Sequence, residues 1–132
     1  MNSNTIHTSD TVFSADSVEW CPYPGYEDVF ALGTYQVQNS GELESFSASQ
    51  RSGTITLHNQ SHEKLEHLQT LKCSAVLDMK WAPALSSLDR GSSPNKDIPK
   101  LAVVDAKGWI YLIFVNMANL ESVQLSVFGQ GE

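Results

Sequence analysis

Cysteine, basic residues and long apolar runs are all scarce in this chain, and each shortage closes off a class of protein. Two cysteines in 132 residues, Cys21 and Cys73, cannot build the disulfide framework that holds a small secreted fold together. Eight Lys plus Arg stand against fifteen Asp plus Glu, a formal net charge of −7. Phosphate binding needs a basic footprint, so nucleic acid is excluded as a partner. The longest apolar run, Trp109 to Val115, is seven residues, far below the ~20 that cross a bilayer as a helix. No membrane partner is therefore expected. The N-terminus, MNSNTIHTSDTVFSAD, has neither the basic start nor the apolar centre of a signal peptide. What remains is 41% apolar and 17% charged, enough hydrocarbon for a core. The expectation is one domain's worth of soluble, anionic, cytoplasmic chain.

A repeat is hidden by its loops. Val18-Glu19-Trp20-Cys21-Pro22 and Met79-Lys80-Trp81-Ala82-Pro83 share one pattern, 61 residues apart. Each is followed by a short apolar run, Phe30-Ala31-Leu32 and Leu101-Ala102-Val103-Val104, then by a glycine and an alternating segment, 53–58 and 108–114. Polar insertions at 38–52 and 84–99 carry turn residues and little hydrocarbon. Each unit reads as four strands: 16–22, 29–37, 53–59 and 65–73, then 75–83, 100–106, 109–115 and 120–128. Leu65, Leu68 and Leu71 also suit a helix; the repeat register favours a strand. Strand 109–115 is apolar at every position, as a strand covered on both faces would be. Asp105-Ala106-Lys107-Gly108 reads as a tight turn.

The fold class predicted is all-β: an incomplete WD-repeat β-propeller of about two four-stranded antiparallel blades. Residues 1–13 form an N-terminal extension, 14–73 the first blade and 74–129 the second, with the remaining blades absent. The usual Gly-His and Trp-Asp dipeptides are missing; Leu57-His58 and Phe114-Val115 stand near the Trp-Asp position. Val18, Trp20, Met79 and Trp81 are expected to be buried, and Trp109 to join the core. Glu19 and Lys80 share one slot on neighbouring inner strands, where they could pair across the blades. Cys21 and Cys73 are expected to be reduced and far apart.

Three blocks carry a family resemblance: SADSVEWCP at 14–22, ALGTYQV at 31–37 and SAVLDMKW at 74–81. In that order they resemble the N-terminal blades of the diphthine methylesterases of diphthamide biosynthesis, which are WD-repeat proteins. The resemblance implies a carboxylic-ester hydrolase whose protein substrate is elongation factor 2. The reaction removes a methyl ester from a modified histidine and releases methanol. A trimethylammonium group lies beside that ester, and a quaternary cation is held by aromatic faces and carboxylates. A different class of function stays open: a non-catalytic WD-repeat interaction scaffold.

The residues do not name a nucleophile. No Gly-x-Ser-x-Gly elbow occurs, and the catalytic residues stay unknown. His62 and His67 are five apart, ~140° round a helix or on opposite faces of a strand, so no shared metal is expected. No cofactor is expected either. His58 and His62 are read as solvated residues flanking a turn. The loops joining successive strands at one end of the sheets would gather Asp16, Tyr35, Cys73, Ser74 and Asp105. Of these, Asp16 and Tyr35 are the substrate-facing candidates, and Asp105 is read as a turn residue bonding its own backbone. Two blades leave strand edges bare, and Val103, Ile110, Leu112 and Phe114 on one exposed face. Self-association, and no esterase activity in this chain alone, are the expected consequences.

Overall fold

Period-two alternation is the signal that organises the whole chain. The computed structural model describes residues 4–38, 50–84, 98–117 and 123–130. Most of the two polar insertions lies outside them. Eight strands follow one another: β1 (Ser14–Trp20), β2 (Val29–Gln38), β3 (Gln50–Gln60), β4 (Leu65–Ser74), β5 (Val76–Trp81), β6 (Lys100–Asp105), β7 (Ile110–Met117) and β8 (Val123–Gln130). No helix occurs among the described residues. Two four-stranded sheets form, ordered β1-β2-β3-β4 and β5-β6-β7-β8, with every ladder antiparallel. The fold is all-β and matches an incomplete, propeller-like stack. Residues 65–74 are a strand, as the repeat register requires, because β4 pairs along β3 from Leu65 to Ser74. β8 is described from Val123, which pairs with Met117; residues 120–122 of the expected strand lie outside the described residues.

The two sheets repeat in register as well as in sequence. Trp20 pairs with Phe30, and Trp81 with Leu101. Both first strands carry a β-bulge at the same slot, between Ala15 and Ser17 and between Val76 and Asp78. The extra residues, Asp16 and Leu77, are themselves 61 apart. Gly108 closes the β6–β7 turn at φ 85°, a conformation that costs a residue with a side chain.

Stacking is front to rear: β5 packs across β1, β2 and β3. The front of the first sheet offers Val29, Ala31, Ile55 and Leu57; the rear of the second answers with Met79, Trp81, Leu101, Val103, Ile113 and Val115. All of these are buried in one core cluster. Fully burying such a side chain contributes about 1.5–3 kcal/mol. The Trp81 indole N–H also donates to the Glu19 carbonyl oxygen across the junction, at 2.9 Å.

This geometry corrects five expectations. Met79 and Trp81 are buried, but Val18 and Trp20 are 57% and 53% exposed. They lie on the rear of the first sheet, and no sheet among the described residues covers that face. Val103 is buried, because it pairs with Tyr111 while Val104 pairs with Ile110; the bare front of the second sheet is made by Leu77, Val104, Ile110 and Leu112. So β7 is covered on one face, not both. Trp109 is half-buried, stacked on Tyr111. No Glu19–Lys80 ion pair forms among the described residues, where the bridge is Lys64–Glu66. The shared slot meets through the Trp81–Glu19 backbone contact instead.

Candidate functional site

One end of the sheets gathers the bulges and the connections between strands. The bulge at Asp16 takes that residue out of the ladder beside the Ser14–Tyr35 pair, and bulges commonly re-aim side chains next to sites. Asp16 and Tyr35 both line one cleft of about 390 Å³, with Val37, Ala75, Val76 and Leu77. The second bulge residue, Leu77, thus forms the opposite wall. Asp16 and Tyr35 are exposed, so a carboxylate and a phenol face solvent between apolar walls. That combination suits a cation with an apolar rim.

The other three residues of that end have structural partners. Asp105 is buried and its carboxylate accepts three hydrogen bonds: its Oδ1 takes the backbone N–H of Lys107 and of Trp109, and the Tyr111 hydroxyl on β7 donates to its Oδ2 at 2.7 Å. It is the turn residue the sequence suggests, with Tyr111 added. Burial, that hydrogen bond and the Asp105 charge together push the Tyr111 hydroxyl well above the ordinary phenol range. Cys73, near the end of β4, is half-buried. Burial first, then the Asp105 charge, push its thiol up to about 11. Ser74, the last residue of β4, is half-buried.

Cys21 is buried and free, and burial pushes its thiol up to about 11. Cys21 follows β1 and Cys73 lies in β4, with β2 and β3 between them. Three strand spacings amount to ~14 Å, twice the reach of a disulfide, so the two are apart as expected. Thiols with such high values are protonated at neutral pH and are not nucleophiles.

A second cleft, of about 570 Å³, lies between residues 9–13 and the β3–β4 side of the first sheet's rear face. Its lining includes Phe13, Thr34, Thr56, His58, His67 and Lys72. His58 corrects another expectation: it sits within β3 and is 7% exposed, not solvated. Its ring stacks on Phe30 with centroids 5.2 Å apart, meets His67 edge-on at 5.5 Å, and bonds the Thr56 hydroxyl at 2.9 Å. Burial, then the neighbouring His67, lower its pKa below the ordinary 6.5. The alternation Thr54, Thr56, His58 marked this face as polar and so disguised its burial. Residues 10–13 reach it through a tight turn in which Val12 takes φ 65°, strained for a β-branched residue. His7 ties the segment to the Ser61 carbonyl oxygen at 3.2 Å. Among the described residues no group of three or more His, Cys, Asp or Glu is placed to hold a metal.

Known proteins with similar sequences carry one name. The chain is 38% identical over 127 residues to the diphthine methyltransferase of Homo sapiens, an alignment covering 86% of this chain and 26% of that protein. It is 42% identical over 84 residues to the diphthine methyltransferase of Mus musculus, covering 58% and 17%. The Schizosaccharomyces pombe protein of that name is 32% identical over 75 residues, covering 53% and 21%. The chain therefore spans about a quarter of the length of the human relative, and is its homologue over that part. These names agree with the sequence resemblance on diphthine and differ from it on the reaction, transferase against esterase. No family model and no solved structure matches the chain.

Proposed function

We propose that these two sheets are blades of a WD-repeat propeller that acts on the diphthine intermediate of elongation factor 2 in the cytoplasm, and that the reaction is hydrolysis of its methyl ester. The observation that carries the diphthine part is the 38% identity to a diphthine methyltransferase over 127 residues. The esterase part rests on the resemblance of the blocks at 14–22, 31–37 and 74–81 to the methylesterases, and the assay below decides between it and the transferase that the relatives' names state. Hydrolysis adds water across the ester: the acyl–oxygen bond breaks, methanol leaves, and a carboxylate and a proton remain. Such a reaction needs an activated water or nucleophile and donors for the developing oxyanion.

Within this chain the contribution we assign is recognition. Asp16 and Tyr35, exposed in one cleft with the apolar walls of Val37 and Leu77, are suited to the trimethylammonium group beside the ester. Burial holds the Cys21 and Cys73 thiols well above their ordinary range, so neither is assigned as the nucleophile, and this chain alone is expected to lack esterase activity because a propeller's channel site draws on loops from several blades.

The test incubates elongation factor 2 bearing the methylated intermediate with the full-length human relative, and separately with this chain, and follows the protein mass. Loss of one methyl group with the relative supports the esterase. No change there, with methyl gain from an added methyl donor on unmethylated substrate, establishes the transferase instead. Asp16→Ala and Tyr35→Ala at the aligned positions should raise KM more than they lower kcat, because binding to the cation is made in substrate and transition state alike.

A further inference from the structure

The cleft shared by the two sheets sets one charge against apolar walls. β1 and β2 give it Asp16, Tyr35 and Val37, and the start of the second sheet gives it Ala75, Val76 and Leu77. Among these lining residues Asp16 carries the charge, and none is a cation. Lys107, at the same end of the second sheet, stands in the β6–β7 turn and does not line the cleft. Two further carboxylates adjoin it, Asp78 exposed beside Leu77 and Asp105 buried opposite Val76, so the surrounding field has the same sign as Asp16. The two bulges decide what the walls are made of. Asp16 and Leu77 hold one slot, 61 residues apart, and both leave the ladder there. The slot that carries a carboxylate on the first sheet therefore carries a branched hydrocarbon on the second. Leu77 is 57% exposed and Val37 43% exposed, which leaves open apolar surface across from the carboxylate.

We infer that this cleft reads the charge of the carboxyl group beside the cation: it takes a neutral carboxylic ester and turns away the free carboxylate, and Leu77 is the residue that sets the distinction. The inference rests on the recognition role given above to Asp16 and Tyr35. With the ammonium against Asp16 and the Tyr35 ring, the carboxyl group beside it meets the opposite wall. A neutral ester lays its methyl on Leu77 and Val37, and removing that hydrocarbon from water favours binding. A carboxylate in the same place gives up water to Leu77, Val37, Val76 and Ala75, whose side chains have no donor to offer. It also faces Asp16. At about 6 Å and an effective dielectric of about 40, repulsion between two like charges weakens binding about tenfold. Ester hydrolysis turns a cationic group into a zwitterionic one, so the wall that accepts the ester releases the acid formed from it. Selectivity of this kind comes from what a site refuses as much as from what it holds.

The experiment titrates the 132-residue chain with three small probes: tetramethylammonium, trimethylglycine methyl ester and trimethylglycine. Binding is followed by the NMR amide signals of Asp16, Tyr35 and Leu77. Ester dissolved fresh at about pH 6 hydrolyses slowly, while trimethylglycine remains a carboxylate. The ester should bind tightest, and trimethylglycine at least about tenfold more weakly than the ester. Asp16→Asn should weaken tetramethylammonium and the ester, and take the Coulomb part, about tenfold, out of the ester-to-acid ratio. Leu77→Arg puts a cation on the opposite wall and should reverse the order, with trimethylglycine ahead of the ester. Leu77→Gln, which adds a donor without charge, should narrow the ratio. Both positions are exposed, and circular dichroism checks that each variant keeps its β signal. If the parent chain binds ester and acid within about twofold of one another while tetramethylammonium still binds, this inference falls and the recognition role stands. If tetramethylammonium moves none of these signals, or Asp16→Asn changes nothing, both fall. An unchanged order in Leu77→Arg overturns the part given to Leu77. Turnover is read separately, by the mass assay above, so a relative that proves to be a transferase does not alter what these titrations decide.

Discussion

Gly33→Ala is the sharpest probe of how the sheets stack, because its sign depends on the stacking. Gly33 sits on β2, facing the second sheet. A Cβ built there falls 2.6 Å from Met79 Cε, Ser17 Oγ and Val76 Cγ1, about 1 Å inside ordinary contact distance. Met79 can swing its terminal methyl, and Ser17 can rotate its hydroxyl. Val76 cannot yield as easily: it is fully buried, and a β-branched side chain is stiff at χ1. Overpacking of this kind costs about 1–3 kcal/mol. Replacing glycine within a strand returns about 0.5–1 kcal/mol, so the net loss is roughly 1–2 kcal/mol. With a urea slope of about 1–3 kcal/mol/M, the unfolding midpoint falls by roughly half to one molar. Val76→Ala alone costs about 2 kcal/mol. In the double variant the new methyl fills the space Val76 leaves, so the two losses sum to about 1–2 kcal/mol less than additivity. Urea titrations followed by circular dichroism, at one low protein concentration so that association does not enter, read all four corners of the cycle. If Gly33→Ala is as stable as the parent or more so, or if the pair is additive, nothing packs against Gly33 and the stacking is wrong.

Three further outcomes are expected. The Ser17 hydroxyl is the buried side-chain polar atom left without a partner among the described residues, so Ser17→Ala should raise the urea midpoint by about 1 kcal/mol's worth; a fall would reveal a partner. His58 holds its pKa below 6.5 in the folded state, so the folded protein binds fewer protons than the unfolded one. Its contribution is then present above pH 6.5 and lost as pH falls through the lowered value. His58→Ile, which installs the residue found in the matching slot at Ile113, should lose less Tm than the parent between about pH 7.5 and about pH 5; equal losses would place the acid sensitivity elsewhere. Cys21 and Cys73, both pushed up to about 11, should alkylate at about pH 8 roughly tenfold more slowly than in urea. That factor is the hundredfold smaller thiolate fraction offset by the greater nucleophilicity of a more basic thiolate, before any steric shielding. Equal rates would show that neither thiol is buried.

Much of the fold was legible because two segments 61 residues apart repeat the same slots, and a repeat fixes strand order where a single strand's alternation does not. The candidate site was legible only in outline. Asp16 and Tyr35 do share a cleft, but the bulge that sets Asp16 apart from its neighbours leaves no mark in an alternation count. The strand expected at 16–22 runs from Ser14 to Trp20, and its ladder skips a residue between Ala15 and Ser17. Burial of Val18 and Trp20 was misread for a different reason. Alternation identifies the apolar face of a strand and says nothing about what lies over it. Val103 was assigned to the wrong face because β6 is apolar from Leu101 to Val104, which hides its parity until Tyr111 and Ile110 are paired with it.

His58 shows how the two rear faces differ, and that difference sets how much hydrocarbon each can offer. Where the second sheet's rear has Leu101, Ile113 and Val115, the matching slots of the first have Phe30, His58 and Gln60. An apolar rear was needed to bury Ala31, Ile55 and Leu57. A rear with His58 and Gln60 presents less hydrocarbon and groups that must keep their hydrogen bonds, and residues 9–13 lie across part of it. Outermost units of stacked-repeat proteins are commonly polar on their outer face for this reason. The apolar surface this rear still offers is therefore on the β1 side, at Val18 and Trp20, and it is smaller than the one the second sheet's rear buries against the first.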